Sequence, residues 1–233
     1  MSQKKVAPKA KKTAAKPKAK AAVKSASASK TPAKAAKPAA KTVSAKAKPK
    51  AKPEAPPAKA KAVFFDRDGV VNGSPGEGSY VLSWWDFQFV DDVAEVLAYL
   101  KKKGWLLIMV TNQQCVGKGI ITMAQLDAIH ERMQAELGPA AAFDAIYVSP
   151  HLKSENSPMR KPAPGMVLAA AEKYNIDLKA SWLVGDHDRD IELARNAGVG
   201  TAVRFVSEKD VKVRAEYTVH SHQELLKLLK AKL

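Results

Sequence analysis

The chain has 233 residues and a formal charge of +16, yet residues 1–61 hold 19 of its 39 basic side chains, eight of its 14 prolines, one acid (Glu54), and no glycine or aromatic residue. The remaining 172 residues carry 20 basic side chains against 22 acids, so the basic pI belongs to the N-terminal segment, and their length is ample for one packed core. A single cysteine, Cys115, excludes an intramolecular disulfide framework and any cysteine-rich zinc module, while no apolar run approaches a bilayer span and no secretory signal opens the chain; a cytoplasmic protein is expected.

Residues 1–61 repeat Lys, Ala and Pro irregularly (KPAAKTVSAKAKPKAKPEAPPAKAKA). Such a segment buries too little apolar surface to offset chain entropy, so a disordered tail is expected, followed by one domain over 62–233. Its composition resembles the tail of a linker histone. Two readings stay open: sequence-independent nucleic-acid binding through phosphate neutralisation, and a solubilising extension that meets polyanions only incidentally.

Residues 62–72 read AVFFDRDGVVN. Four apolar residues running into a turn predict a buried strand of a parallel sheet, with Asp66 and Asp68 at its carboxyl end and, by period two, on one side of the chain. Ligands of open α/β sheets collect at that end. Two such acids can divide labour as nucleophile and proton carrier, or can simply cap a strand. A glycine-rich loop, NGSPGEGSY, follows, then Trp84, Trp85 and Phe87. Asp91 and Asp92 precede a helix whose apolar face is Val93, Val96, Leu97 and Leu100, closed by three lysines and Gly104. WLLIMV (105–110) is a second strand, running into Thr111, Asn112, Gln113 and Gln114. The GKG at 117–119 is not a phosphate-binding P-loop, whose full pattern occurs nowhere in the chain. Thr122 and Gln125 resemble a capping box opening a helix with Leu126, Ile129, Met133 and Leu137 on one face; His130 reads as an ordinary residue of that helix.

A third strand is expected over 142–149, then the loop PHLKSENSPMRKP, a helix from Gly165 to Asn175, and a fourth strand, SWLVGD (181–186), again ending in an acid. Asp190 opens the helix DIELARNAG, strands at 201–206 and 215–219 follow, and Ser221 with Glu224 marks the last helix. Strands alternating with helices at this spacing predict a doubly wound, three-layer α/β fold with a parallel sheet. Carboxylates distant in sequence, Asp66 with Asp68 and Asp186 with Asp190, then converge on one crevice, and an oxygen-only donor set favours Mg²⁺. Thr111 and Asn112 can donate to an oxyanion, and Lys161 supplies fixed positive charge.

Through FFDRDGVVN, VTNQQCVGKG, RKPAPGM and LVGDHDRD, residues 62–233 resemble the haloacid dehalogenase (HAD) superfamily of phosphohydrolases, in the branch of the heptose bisphosphate and histidinol-phosphate phosphatases. The resemblance implies a HAD-like, Rossmannoid fold and a phosphomonoester hydrolase working through an aspartyl-phosphate. In it Asp66 is the nucleophile and Asp68 the general acid and base. Thr111 binds the phosphoryl group beside Asn112, Gln113 and Gln114, Lys161 neutralises charge, and Arg160 meets the substrate. Asp66, the Asp68 carbonyl and Asp186 hold Mg²⁺, with Asp190 in support. Many members of the branch bind zinc through three Cys and one His in the loop after the third strand. Here those positions are Ser149, His151, Ser157 and Met159, so zinc is not expected. There is no room for a large cap domain, which leaves Tyr80, Trp84 and Trp85 as candidates to line the access path, although core packing is the expected role of the two tryptophans. His187 is either a substrate contact or a solvated loop residue. The expected substrate is a small phosphorylated metabolite, above all a sugar bisphosphate such as D-glycero-D-manno-heptose 1,7-bisphosphate. A histidinol phosphatase, a polynucleotide 3′-phosphatase and a DNA-associated binding module are the competing readings, and the slight acidity of the domain speaks against a nucleic-acid groove in the site itself.

Overall fold

A computed structural model describes residues 58–76, 78–206 and 212–233. The tail expectations for residues 1–57 therefore lie outside the described residues. Six strands, β1 (Ala62–Phe65), β2 (Leu106–Asn112), β3 (Ala145–Ser149), β4 (Trp182–Gly185), β5 (Thr201–Phe205) and β6 (Tyr217–Val219), form one parallel sheet in the order β3-β2-β1-β4-β5-β6. The helices are α1 (Val93–Lys102), the single turn α2 (Gln114–Gly117), α3 (Met123–Ala141), α4 (Gly165–Tyr174), α5 (Asp188–Ala197) and α6 (His222–Lys232). The expected doubly wound, three-layer architecture is the one observed.

The alternation of β1 builds the two outer layers. Val63 and Phe65 point to one face, where Val96, Leu97 and Leu100 of α1, Met133 of α3 and Leu225 and Leu229 of α6 complete a core. Ala62 and Phe64 point to the other, against Met166, Val167 and Ala170 of α4 and Ile191 and Ala194 of α5. A strand buried on both faces has no polar side to present, which is why these runs read as continuously apolar. Thr122 caps α3 as its sequence predicts, accepting from the Gln125 amide while Gln125 Oε1 accepts from the Thr122 amide at 2.8 Å. Asp92 precedes α1 in a left-handed conformation, with no side-chain hydrogen bond to the helix end.

Three expectations change. β3 begins at Ala145, not at 142, because Ala142 to Asp144 turn out of α3 and Asp144 accepts from the Leu107 amide. β6 is confined to 217–219, since Glu216 is spent bonding the Ala202 amide. Trp85 is not core: it is 89 % exposed, whereas Trp84 stacks on Phe87 with ring centres 5.1 Å apart. Ahead of β1, Ala60 bridges to Ile176. Between β1 and α1 the described residues form a loop with isolated bridges and a 3₁₀ turn at Trp84–Asp86, too little to make a cap domain over the carboxyl ends of the strands there. No helix among the described residues is long and apolar enough to cross a membrane.

Candidate active site

Sheet order reverses about β1, whose neighbours are β2 and β4, and the carboxyl ends of these three strands enclose the crevice. It has a volume of about 420 Å³ and is lined among others by Asp68, Tyr80, Asn112, Gln114, Arg160 and Arg189. The glycine-rich loop after Asn72 forms one of its walls, through Ser74, Pro75, Gly76, Gly78 and Ser79.

β1 ends at Phe65, the Asp66 amide still bonds to the Val184 carbonyl of β4, and beyond it the amides of Val70, Val71 and Asn72 all bond to the Arg67 carbonyl in a tight turn. Asp66 is buried beneath the crevice and Asp68 faces it. Gly69 takes a φ of +89°, and a β-carbon there would lie 2.3 Å from Asp186 Oδ2. Only glycine lets the turn pass that close to the carboxylate at the end of β4.

Lys161, fully buried, joins the two acidic groups. Its Nζ lies 2.7 Å from Asp66 Oδ1 and 2.8 Å from Asp190 Oδ1, and also donates to the Val110 carbonyl at 3.1 Å. Burial alone would lower its pKa, but the Asp190 and Asp66 carboxylates outweigh that and hold it above an ordinary lysine. Burial, with Asp190 and Asp186 close by, pushes Asp66 up to about 7 against the pull of Lys161. Asp68 is the reverse. Burial would raise it, yet Arg67 and hydrogen bonds from Asn72 and Gln113 keep it below the usual carboxylate range.

Arg67, between the two acids, is a residue that sequence reasoning passed over. It is completely buried, and its Nη2 donates to both oxygens of Asp68 at 2.8 and 3.0 Å. Its Nη1 lies 3.2 Å from His130 Nε2. A guanidinium only donates, so that nitrogen accepts and His130 is neutral; burial and the Arg67 charge push its pKa down to about 4. His130 is thus an internal partner of the site where an ordinary helix residue was expected.

The remaining expected contacts divide. Gln113 donates to Asp68 Oδ2 at 2.8 Å and to Thr111 Oγ1 at 2.9 Å, within the protein. Asn112 spends both ends of its amide on the Lys161 backbone, accepting from its N–H at 3.0 Å and donating to its carbonyl at 3.2 Å. Thr111 is buried beneath them. Gln114, Tyr80 and Arg160 form the rim: Gln114 donates to Tyr80 Oη at 3.1 Å, and Arg160 reaches Gln114 at 3.5 Å and the His151 carbonyl at 2.8 Å. His151, in the loop compared with a zinc site, pairs with Glu155 at 2.8 Å. Arg189 lines the crevice without having been expected there; its only signal was its place in HDRD.

One ligand atom each from Asp186, His187 and Asp190 lies within 4.8 Å of the others. Within this group His187 Nδ1 is 2.5 Å from Asp186 Oδ1, and Asp190 accepts from the His187 amide at 3.0 Å. The Asp186 and Asp190 carboxylates of this group suit a hard, oxygen-seeking divalent cation.

Residues 158–204 match the model of the HAD-hydrolase-like family. The D-glycero-beta-D-manno-heptose-1,7-bisphosphate 7-phosphatase of Yersinia pestis is 37% identical over 183 residues, 73% of this chain and 96% of that protein. The protein of the same name from Escherichia coli K12 is 37% identical over 163 residues, 66% of this chain and 84% of its own. Among solved structures, a D,D-heptose 1,7-bisphosphate phosphatase from B. bronchiseptica, in complex with magnesium and phosphate, superposes with a TM-score of 0.68 at 26% identity, over 74% of this chain and 99% of the other.

Proposed function

Because the chain belongs to the heptose bisphosphate phosphatases of the haloacid dehalogenase superfamily, we propose that it is a cytoplasmic, Mg²⁺-dependent phosphatase that removes one phosphate from a sugar bisphosphate, D-glycero-D-manno-heptose 1,7-bisphosphate. The observation that carries this reading is the pair of acids in opposite settings on one turn: Asp66 buried 2.7 Å from the Lys161 ammonium, and Asp68 facing the crevice under the fork of Arg67.

In this reading the Asp66 carboxylate attacks phosphorus, and the bond from phosphorus to the sugar oxygen breaks. Asp68 gives that oxygen a proton, then takes one from the water that hydrolyses the aspartyl-phosphate and frees Asp66. Asp66, the Asp68 carbonyl and Asp186, supported by Asp190, would hold Mg²⁺, whose charge would keep Asp66 ionised and offset that of the phosphoryl oxygens. The substrate-free pKa order, Asp66 high and Asp68 low, is the inverse of the working order. A phosphate dianion arriving beside Asp68 raises that group, as the general acid requires. Lys161 balances charge on Asp66 throughout, and Asn112 fixes it through its backbone. Arg160 and Arg189 on the rim suit a second anionic group of the substrate.

The test is a panel of phosphorylated metabolites, with the heptose bisphosphate, histidinol phosphate and a 3′-phosphorylated oligonucleotide side by side. Highest kcat/KM on the heptose bisphosphate, lost in EDTA and restored by Mg²⁺, is expected. Preference for the oligonucleotide would replace this reading with a polynucleotide phosphatase. The tail supplies the second proposed partner, nucleic acid, bound through its lysines without regard to base sequence.

A further inference from the structure

At the amino ends of the same three strands lies a second concavity, of about 620 Å³. Lys59 and Lys61 lead into β1, Lys103 and Trp105 into β2, Trp182 starts β4, and Lys232 ends α6. Lys102, Lys179 and Lys230 stand exposed on the adjoining turns and helix ends. None of these lysines forms an ion pair with a described residue. Among the acids near this end, Asp144 pairs with Lys101 at 2.9 Å, Asp177 caps the turn at Lys179, and Glu216 accepts from the Ala202 amide. In a domain whose formal charge over residues 62–233 is slightly negative, this end is strongly positive.

From this we infer that the lysine-lined face is a docking surface for the phosphate backbone of duplex DNA. The inference deepens the tail reading above, but it stands on the domain's own residues. Lysines supply point charge rather than planar forks, which suits phosphates and leaves base edges unread. The Lys61 ammonium lies 5.6 Å from the centre of the Trp105 ring and the Lys232 ammonium 5.6 Å from that of Tyr217, contacts that place these charges while both residues stay exposed. Trp182 stacks on Tyr217 with ring centres 5.8 Å apart, and both tryptophans are only 8 % exposed. Rings so occupied offer no platform for unstacked bases, which sets this surface apart from a single-strand groove. In sequence, Lys59 on this rim follows shortly after the lysine-rich segment 1–57. The crevice opens at the other ends of the strands, and the seven residues of β2 alone separate the two by about 20 Å. Bound duplex therefore leaves the catalytic crevice open.

The experiment uses the full chain, a 25-bp duplex of arbitrary sequence, and fluorescence anisotropy between about 50 and 200 mM salt. The variant Lys61→Gln/Lys103→Gln/Lys232→Gln is compared with Lys46→Gln/Lys48→Gln/Lys50→Gln in the tail. Each lost phosphate contact reduces the slope of log K against log salt by about 0.9, so the face variant is expected to bind with a slope shallower by about 2 to 3. Its turnover of a small phosphorylated substrate should match wild type, with or without saturating duplex. A changed slope in the tail variant only would overturn the face and keep the tail. A changed slope in the face variant only would do the converse. Tighter binding to a single strand, stronger capture by phosphatidylglycerol vesicles, or competitive inhibition of turnover by duplex would each overturn the assignment.

Discussion

Lys161 bears on more of the site than any other residue, because one buried ammonium faces two buried carboxylates. Removing it as Lys161→Met leaves Asp66 and Asp190 confronting each other without a counter-charge, which costs about 3–5 kcal/mol in comparable buried pairs. Chemical denaturation should show that loss, and kcat should fall with it. Asp66→Asn is the complementary change. It is nearly isosteric, so stability should hold while kcat drops by at least about 100-fold in a steady-state assay. A variant retaining more than about a hundredth of wild-type turnover would remove Asp66 from the role of nucleophile. Arg67 shows why part of this site was hidden in the sequence. An arginine between two acids reads as a solvated charge, and only the turn that gathers three amides on its carbonyl sends its guanidinium inward to Asp68 and His130.

The elements were legible to different degrees. Apolar runs ending in an acid or in TNQ identified β1, β2 and β4 and the ends that carry the site, because a strand buried on both faces leaves an unbroken apolar signature. The edge strands β3 and β6 were overestimated in length, since residues beside an edge can bond to a loop as readily as to a neighbour. Amides such as Asn112 and Gln113 carry no mark of whether they face a ligand or their own backbone, and here both bond inward. At the start of α6 the fold holds a titration switch: His222 is fully buried, its ring 4.7 Å from Phe205. Burial pushes its pKa down to about 4. The folded chain keeps it neutral while the unfolded chain protonates it below about 6.5, so the unfolded state binds more protons and stability falls as the pH drops from 6.5 toward 4. The full difference is about 3 kcal/mol. Urea unfolding at pH 7, 5.5 and 4.5 should show it, with a flatter pH dependence in His222→Gln; an unchanged slope would mean that His222 is already charged in the fold.

Over the whole molecule, the proposed division gives two ends of one sheet to two kinds of anion: a small phosphate ester at the carboxyl ends and a polymer at the amino ends. Deleting residues 1–57 stops short of the Ala60–Ile176 bridge and should leave kcat on a small substrate unchanged. Duplex affinity should fall in the same protein and become less sensitive to salt, the residual binding belonging to the lysine face. Loss of activity on the small substrate would instead mean that the tail takes part in the site. The opposition of the two ends also has a practical reading. Passed over a sulfonated or heparin-coated bead, the protein would attach by its lysine-rich end, with every crevice turned toward the flowing solution. A packed column of such beads would dephosphorylate a stream of substrate without any chemical cross-link, and a pulse of concentrated salt would strip the bed for reuse.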